Sequence, residues 1–292
     1  MLFDSYGDII FYDGAMGTML QKSGLKPGAR PDILNITDPG AVENVHRLYV
    51  EAGSDIICTN TFGANADALH GTGYSPGEII AAAVSIAKRA SGGRAKVALD
   101  IGPVGRFLEP MGDLEYDKAY EMFAEQAAAG ERAGADFAAI ETMSDITELT
   151  AAILAVKDST SLPVLASMTF DKTGCTYMGC TPEKLAETAA RLGAAAVGIN
   201  CSLEPAEMFR TVERIAAAAA SLPVIIKPNA GLPDSVTGLY SVGPEEFARQ
   251  MLRFAGIRPM IAGGCCGTTP EHIKELKKAF SGGAGARGQR ET

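Results

Sequence analysis

Eight short apolar runs recur along the chain, each followed by a segment of helical spacing, and this alternation restricts the fold more than any other feature. The runs cover residues 9–12, 55–59, 96–101, 137–141, 164–169, 196–201, 224–227 and 260–264. Helix-start signals stand between them, as in Asp38-Pro39 before 41–52, Thr181-Pro182-Glu183 before 185–192 and Thr269-Pro270-Glu271 before 273–280. Eight such alternations predict a (β/α)8 TIM barrel in a single domain over residues 1–280. A length of 292 residues with 47% hydrophobic content gives one large core enough material. Residues 281–292, rich in Gly, Arg and polar side chains, read as a disordered tail. The alternative α/β architecture, an open doubly wound sheet, has fewer strands and a Gly-rich phosphate turn after the first. Asp13-Gly14-Ala15-Met16-Gly17-Thr18 does follow the first run. Its spacing is Gly-x-x-Gly, and no helix is expected there for about twenty residues, so a dinucleotide site is not supported.

Composition removes several function classes. The first eight residues are acidic and lack the apolar run of a signal peptide, and nothing reaches the roughly 18 uninterrupted apolar residues of a membrane span. A cytoplasmic location is the expectation, with no membrane partner. A formal charge of −9 argues against nucleic acid or an anionic lipid surface. Six cysteines are too sparse for a disulfide scaffold, and reduced thiols are available for metal binding or catalysis.

In a (β/α)8 barrel the chemistry lies at the C-terminal strand ends. The residues delivered there are Asp13, then Thr59, Asn60 and Thr61, then Asp100, Glu141 and Thr142, Asn200 and Cys201, Lys227 and Asn229, and finally Cys265 and Cys266. Three of these are cysteines on neighbouring strand ends. Adjacent strand residues face opposite ways, so Cys265 and Cys266 can share an ion only if the backbone bends sharply. Their setting, Gly263-Gly264-Cys265-Cys266-Gly267, permits that bend. Soft thiolates favour Zn2+, and three protein ligands with a fourth position open mark a catalytic rather than a structural zinc. Cys58, inside the second run, reads as a buried apolar thiol. Cys175 and Cys180 fall in the loop after the fifth run, where a redox or accessory-metal role is the minor alternative. His46, His70 and His272 give no ligand pattern.

The two cysteine motifs, Gly198-Ile199-Asn200-Cys201 and Gly263-Gly264-Cys265-Cys266-Gly267, resemble the zinc-binding pattern of the homocysteine S-methyltransferases. The resemblance runs from about Ile9 to Phe280. The stretches from Phe11 to Gln21 and from Asp55 to Asn65 look most like the homocysteine domain of cobalamin-dependent methionine synthases. It implies a barrel with one Zn2+ held by Cys201, Cys265 and Cys266, and homocysteine sulfur in the open position. It also implies that Asp13 and Glu141 hold the substrate ammonium, that backbone amides near Gly14 and Ala15 take its carboxylate, and that Thr61 and Asn200 complete the substrate site. The implied methyl donor is methylcobalamin or another methylcorrinoid, carried by a separate corrinoid protein or a folate/cobalamin module. This chain contains no Asp-x-His-x-x-Gly cobalamin-ligand motif.

Zinc suits the chemistry. A free thiol with a pKa near 8.5 is mostly protonated at neutral pH, while the thiolate is the nucleophile. Competing readings are S-methylmethionine or S-adenosylmethionine as donor, a zinc-storing or redox-sensing thiol protein without turnover, and a lyase or aldolase built on Lys227. Betaine is disfavoured, because a quaternary ammonium calls for an aromatic cage and the chain has no Trp.

Overall fold

The computed structural model describes residues 3, 6–26, 28–219, 221–234, 238–257 and 259–283. Its eight strands are β1 (Ile9–Phe11), β2 (Ile56–Cys58), β3 (Lys96–Ile101), β4 (Phe137–Met143), β5 (Val164–Met168), β6 (Ala196–Asn200), β7 (Val224–Lys227) and β8 (Met260–Ala262). All pair in parallel, in the order β1-β8-β7-β6-β5-β4-β3-β2. Closure comes from a parallel bridge between Tyr12 and Ile56 and from the Asp55 amide donating to the Phe11 carbonyl at 2.7 Å. The result is the expected (β/α)8 barrel.

The helices are α1 (Met16–Lys22), α2 (Leu34–Thr37), α3 (Pro39–Ala52), α4 (Ala66–Leu69), α5 (Pro76–Ser91), α6 (Tyr116–Ala133), α7 (Ile146–Ser159), α8 (Pro182–Arg191), α9 (Pro205–Ala218), α10 (Pro244–Met251) and α11 (Pro270–Gly283). Asp38 and Thr181 cap α3 and α8 through their side chains, as their sequence signals indicate. Helix α1 departs from the sequence expectation, since it starts three residues after Asp13. Ala15 at its N-cap has no side chain to accept a hydrogen bond, so the usual start signal is missing. Helix α11 runs through Gly283, past the expected boundary at 280; the remaining expected tail, 284–292, lies outside the described residues.

Strand period decides what the pocket contains. Ile10, Ile56, Ala98, Ala139, Leu165, Ala196, Ile225 and Ile261 pack inside the barrel, while Phe11, Leu99, Ile140, Val197 and Ile226 pack outward under the helices. Two residues further along each strand the inward positions become Tyr12, Cys58, Asp100, Glu141, Ser167, Gly198 and Lys227. The apolar layer therefore forms a floor, and the polar layer lies on it at the C-terminal mouth. Among the described residues, no helix is long and apolar enough to cross a membrane.

Candidate active site

A cavity of about 400 Å³ opens at the C-terminal ends of the strands. Its walls include Asp13, Gly14, Ala15, Thr61, Glu141, Cys201, Cys265 and Cys266, so every site residue implied by the family resemblance except Asn200 lines it. Asn200 is buried beneath the wall.

One side is sulfur. The Sγ atoms of Cys201, Cys265 and Cys266 lie within 4.8 Å of one another, with Cys201 and Cys266 at 3.8 Å. The required bend is a hydrogen-bonded turn. The Gly264 amide donates to the Asp13 carbonyl (3.0 Å), the Cys265 amide to the Pro228 carbonyl (2.8 Å) and the Thr268 amide to the Cys265 carbonyl (3.1 Å). Gly267 then takes φ +81°. A Cβ on Gly264 would come within 2.4 Å of Thr268 Oγ1, so only glycine lets the chain pass there. Cys201 is aimed by strain instead: it has φ +63° and Ser202 has φ +60°, a conformation L side chains rarely adopt. Asn200 braces the same region. Its Oδ1 accepts from the Thr142 amide (2.8 Å) and Ser167 Oγ (2.9 Å), and its Nδ2 donates to Thr142 Oγ1 (2.7 Å). Those bonds hold Thr142 at φ +62°, where the β4–β5 register shifts. Asn200 thus supports the wall, and its polar atoms are already committed.

Hydrogen bonds from Cys265 and Cys266 pull the Cys201 thiol down to about 3, while Cys266 is pushed up to about 11 and Cys265 well above the usual thiol range. Three sulfurs within reach of one another are the arrangement expected of thiols that give up their protons together to a soft cation. A soft donor set, a pre-bent backbone and sulfurs already within mutual reach fit a zinc ion. The Asn229 side chain hydrogen-bonds Cys201, and its Oδ1 is buried without a partner.

The opposite side is acidic. Asp13 Oδ2 accepts from the Cys58 amide at 2.7 Å, and its Oδ1 is buried with no partner; the same holds for Asp100 Oδ1. Burial raises Asp13 to about 7 despite nearby Lys227, and burial followed by the Glu141 charge raises Asp100 well above the carboxylate range. Glu141 Oε2 accepts from Lys227 Nζ at 2.5 Å, an ion pair that sequence reasoning did not connect. Burial alone would lower the Lys227 ammonium; Glu141, Cys58 and Asp13 outweigh it and raise the pKa, so the amine stays protonated and is no Schiff-base nucleophile. The lyase reading loses its key group. Cys58 is buried as expected but lines the pocket, where its thiol donates to Tyr12 Oη at 3.5 Å.

The remaining sequence-selected residues are held by local networks. Thr61 Oγ1 donates to the Asp100 carbonyl (2.7 Å) and pairs with Thr59 Oγ1 (2.7 Å). The Ala15 amide donates to Thr268 Oγ1 at 3.2 Å, and a Cβ on Gly14 would come within 2.5 Å of that same oxygen. Cys180 is buried and Cys175 half-buried in the β5 loop, both as free thiols. His46 and His272 are buried in the helical layer.

A family model described as homocysteine S-methyltransferase matches residues 10–280. The chain is 34% identical over 295 residues to methionine synthases of Mycobacterium leprae and Mycobacterium tuberculosis, covering 92% of this chain and 24% of each relative. It therefore spans about a quarter of the length of those relatives. In three dimensions it resembles the Escherichia coli homocysteine methyltransferase MmuM in its metallated form, with a TM-score of 0.81 at 20% identity, covering 95% of this chain and 99% of that one. At that identity the likeness concerns the fold. The family match covers nearly the whole barrel, and the chain belongs to the homocysteine S-methyltransferase family.

Proposed function

We propose that this domain transfers a methyl group to the thiol of L-homocysteine, giving methionine, with one Zn2+ held by Cys201, Cys265 and Cys266. The observation that carries this reading is one pocket with three converged sulfurs on one side and buried carboxylates on the other. When bound, the zinc would supply Lewis acidity that keeps the substrate sulfur as thiolate at neutral pH. The chain supplies the rest. Asp13 and Glu141 receive the substrate ammonium, and the unpartnered Asp13 Oδ1 is an acceptor awaiting a donor. Backbone amides at the Gly14–Ala15 turn serve the carboxylate end, the Ala15 amide by giving up its bond to Thr268 Oγ1. Thr61 fixes the Asp100 backbone, and Asn200 fixes the strand ends behind the metal.

For the donor we infer a methylcorrinoid, methylcobalamin free or on a separate protein or module. Exposed apolar side chains ring the mouth: Phe62 after β2, Phe107 and Met111 after β3, Tyr177 after β5, and Leu232 and Leu239 after β7. Phe107 and Tyr177 stack at 6.3 Å between two of these loops. Such a rim suits a large docking donor better than a small free one. The test is a panel of methyl donors with homocysteine as acceptor, following methionine by mass. Methylcobalamin should outpace betaine. Turnover with S-methylmethionine or S-adenosylmethionine and none with methylcobalamin would overturn the donor assignment and leave the acceptor assignment standing.

A further inference from the structure

Lys227 lies in the middle of the pocket, and the reaction as proposed gives it no task. Its ammonium contacts Glu141 at 2.5 Å and sits 4.4 Å from the centre of the Tyr12 ring. Around it are three carboxylates, Asp13, Asp100 and Glu141, and it hydrogen-bonds only the last. A buried carboxylate oxygen without a donor is costly, and two such oxygens remain, on residues that are 2% and 8% exposed. The pocket thus carries two buried oxygens that a donor on a bound molecule would satisfy.

We propose that Lys227 is a competing gate of the amino subsite: it fills the cation place at Glu141 in the free protein and yields it to the ammonium of the incoming thiol. This rests on the homocysteine reading above. Two ammonium groups at one carboxylate repel strongly where water is scarce, so Lys227 and the substrate ammonium compete. Lys227 also keeps Glu141 paired while the pocket is empty, when an unpaired carboxylate there would destabilise the barrel. The opposite assignment, in which Lys227 grips the substrate carboxylate, would place that group among three carboxylates of its own sign.

Three thiols separate the cases: homocysteine, its desamino analogue 4-mercaptobutyrate and its decarboxy analogue 3-aminopropane-1-thiol. Their affinities are measured by calorimetry on the metal-loaded protein and on Lys227→Met and Lys227→Gln, with metal content verified in each. The gate predicts that homocysteine and 3-aminopropane-1-thiol tighten about ten-fold in the variants, the scale of removing one close like-charge competitor, while 4-mercaptobutyrate holds steady. A loss confined to the two carboxylate-bearing thiols would overturn it in favour of a carboxylate grip. Unchanged ratios between the thiols, with the native protein discriminating among them, would overturn the gate alone. Equal binding of all three by the native protein would overturn the homocysteine reading and the gate with it. A crystal structure of the native metal-loaded protein with homocysteine gives a check that needs no variant. It should show Nζ moved off Glu141, and an intact Lys227–Glu141 pair would overturn the proposal.

Discussion

The two sides of the pocket are built by different means. The sulfur side depends on backbone: positive φ at Cys201, Ser202 and Gly267, and main-chain hydrogen bonds that fold Gly264 to Thr268 into a turn. The acidic side depends mainly on strand period, with Cys58, Asp100, Glu141 and Lys227 arriving from four strands at inward positions of the barrel and Asp13 joining them from the loop after β1. One side is written in contiguous motifs and holds its shape through glycine and strain. The other is assembled across the fold and has buried groups that lack partners. A site divided in this way assigns metal binding to one set of residues and amino-acid recognition to another, and the two should fail independently.

The largest test of that independence is metal content. Cys201→Ser, Cys265→Ser or Cys266→Ser should reduce about one zinc per chain to nearly none, because a three-sulfur site has no spare ligand. Cys58→Ser, Cys175→Ser and Cys180→Ser should retain it. Cys58 is the informative control, since its thiol lies within 4.8 Å of Asp100 and Glu141 in the same pocket. Zinc loss on Cys58→Ser equal to that on Cys201→Ser would erase the division.

The sulfur side should also be the more sensitive to backbone change. A Cβ on Gly198 would stand 2.0 Å from the Ile225 carbonyl, inside the β6–β7 ladder that spaces Cys201 from Cys265 and Cys266. Gly198→Ala should therefore cost about 3 kcal/mol of stability, the upper range for overpacking, because main chain rather than a flexible side chain must move. Weaker zinc binding should accompany it. A thermal melt and a competitive zinc titration check both, and an unshifted melt would show that the strands separate freely there.

The same contrast explains what was legible in the sequence. All eight strands were readable because each is a short apolar run between helical segments. Their ends were less so: the run at 196–201 stops at Asn200 since Cys201 turns to positive φ, and β4 continues to Met143 past a register shift braced by Asn200. The thiol cluster could be seen because glycines flank it in one motif. The Lys227–Glu141 pair could not, because it joins β4 to β7 and depends on which strand positions share a layer. The bonds of Asn200 were hidden for a related reason, since sequence places a polar group at a strand end without showing that its amide meets Thr142 and Ser167. Helix α1 was missed because Ala15 carries no cap.

On the acidic side, Asp13→Ala and Glu141→Ala should each weaken homocysteine binding by about 2 kcal/mol, roughly 30-fold, the scale of a lost charge-assisted hydrogen bond. Zinc content should stay at the native value. Calorimetry alongside metal analysis reads the two quantities separately. Variants that lose metal and substrate in parallel would mean that the acidic side holds up the sulfur side, contrary to the division drawn here.

The smallest effect separates the pocket from the helices around it, through the sign of a pH dependence. Burial raises Asp13 to about 7, so its contribution to stability is fully present below its unfolded value near 3.8 and is lost as pH rises through 7. His46 acts in the other direction. It is fully buried in α3, neither ring nitrogen has a partner, and burial lowers it to about 4. The unfolded chain takes up that proton near 6.5 while the folded chain does not, so stability falls as pH drops from 6.5 towards 4, by a little over 1 kcal/mol at pH 5.5. Between pH 5 and 6.5 the two groups act against each other, so urea midpoints should fall more steeply with rising pH in His46→Leu and rise more steeply with rising pH in Asp13→Asn. The asparagine keeps an oxygen for the Cys58 amide, so its effect reports charge rather than a lost brace. Stability that still rises with pH in His46→Leu would shift the acid sensitivity to other groups, whereas an Asp13→Asn variant whose stability rises less steeply with pH than the native protein's would contradict the sign given by burial.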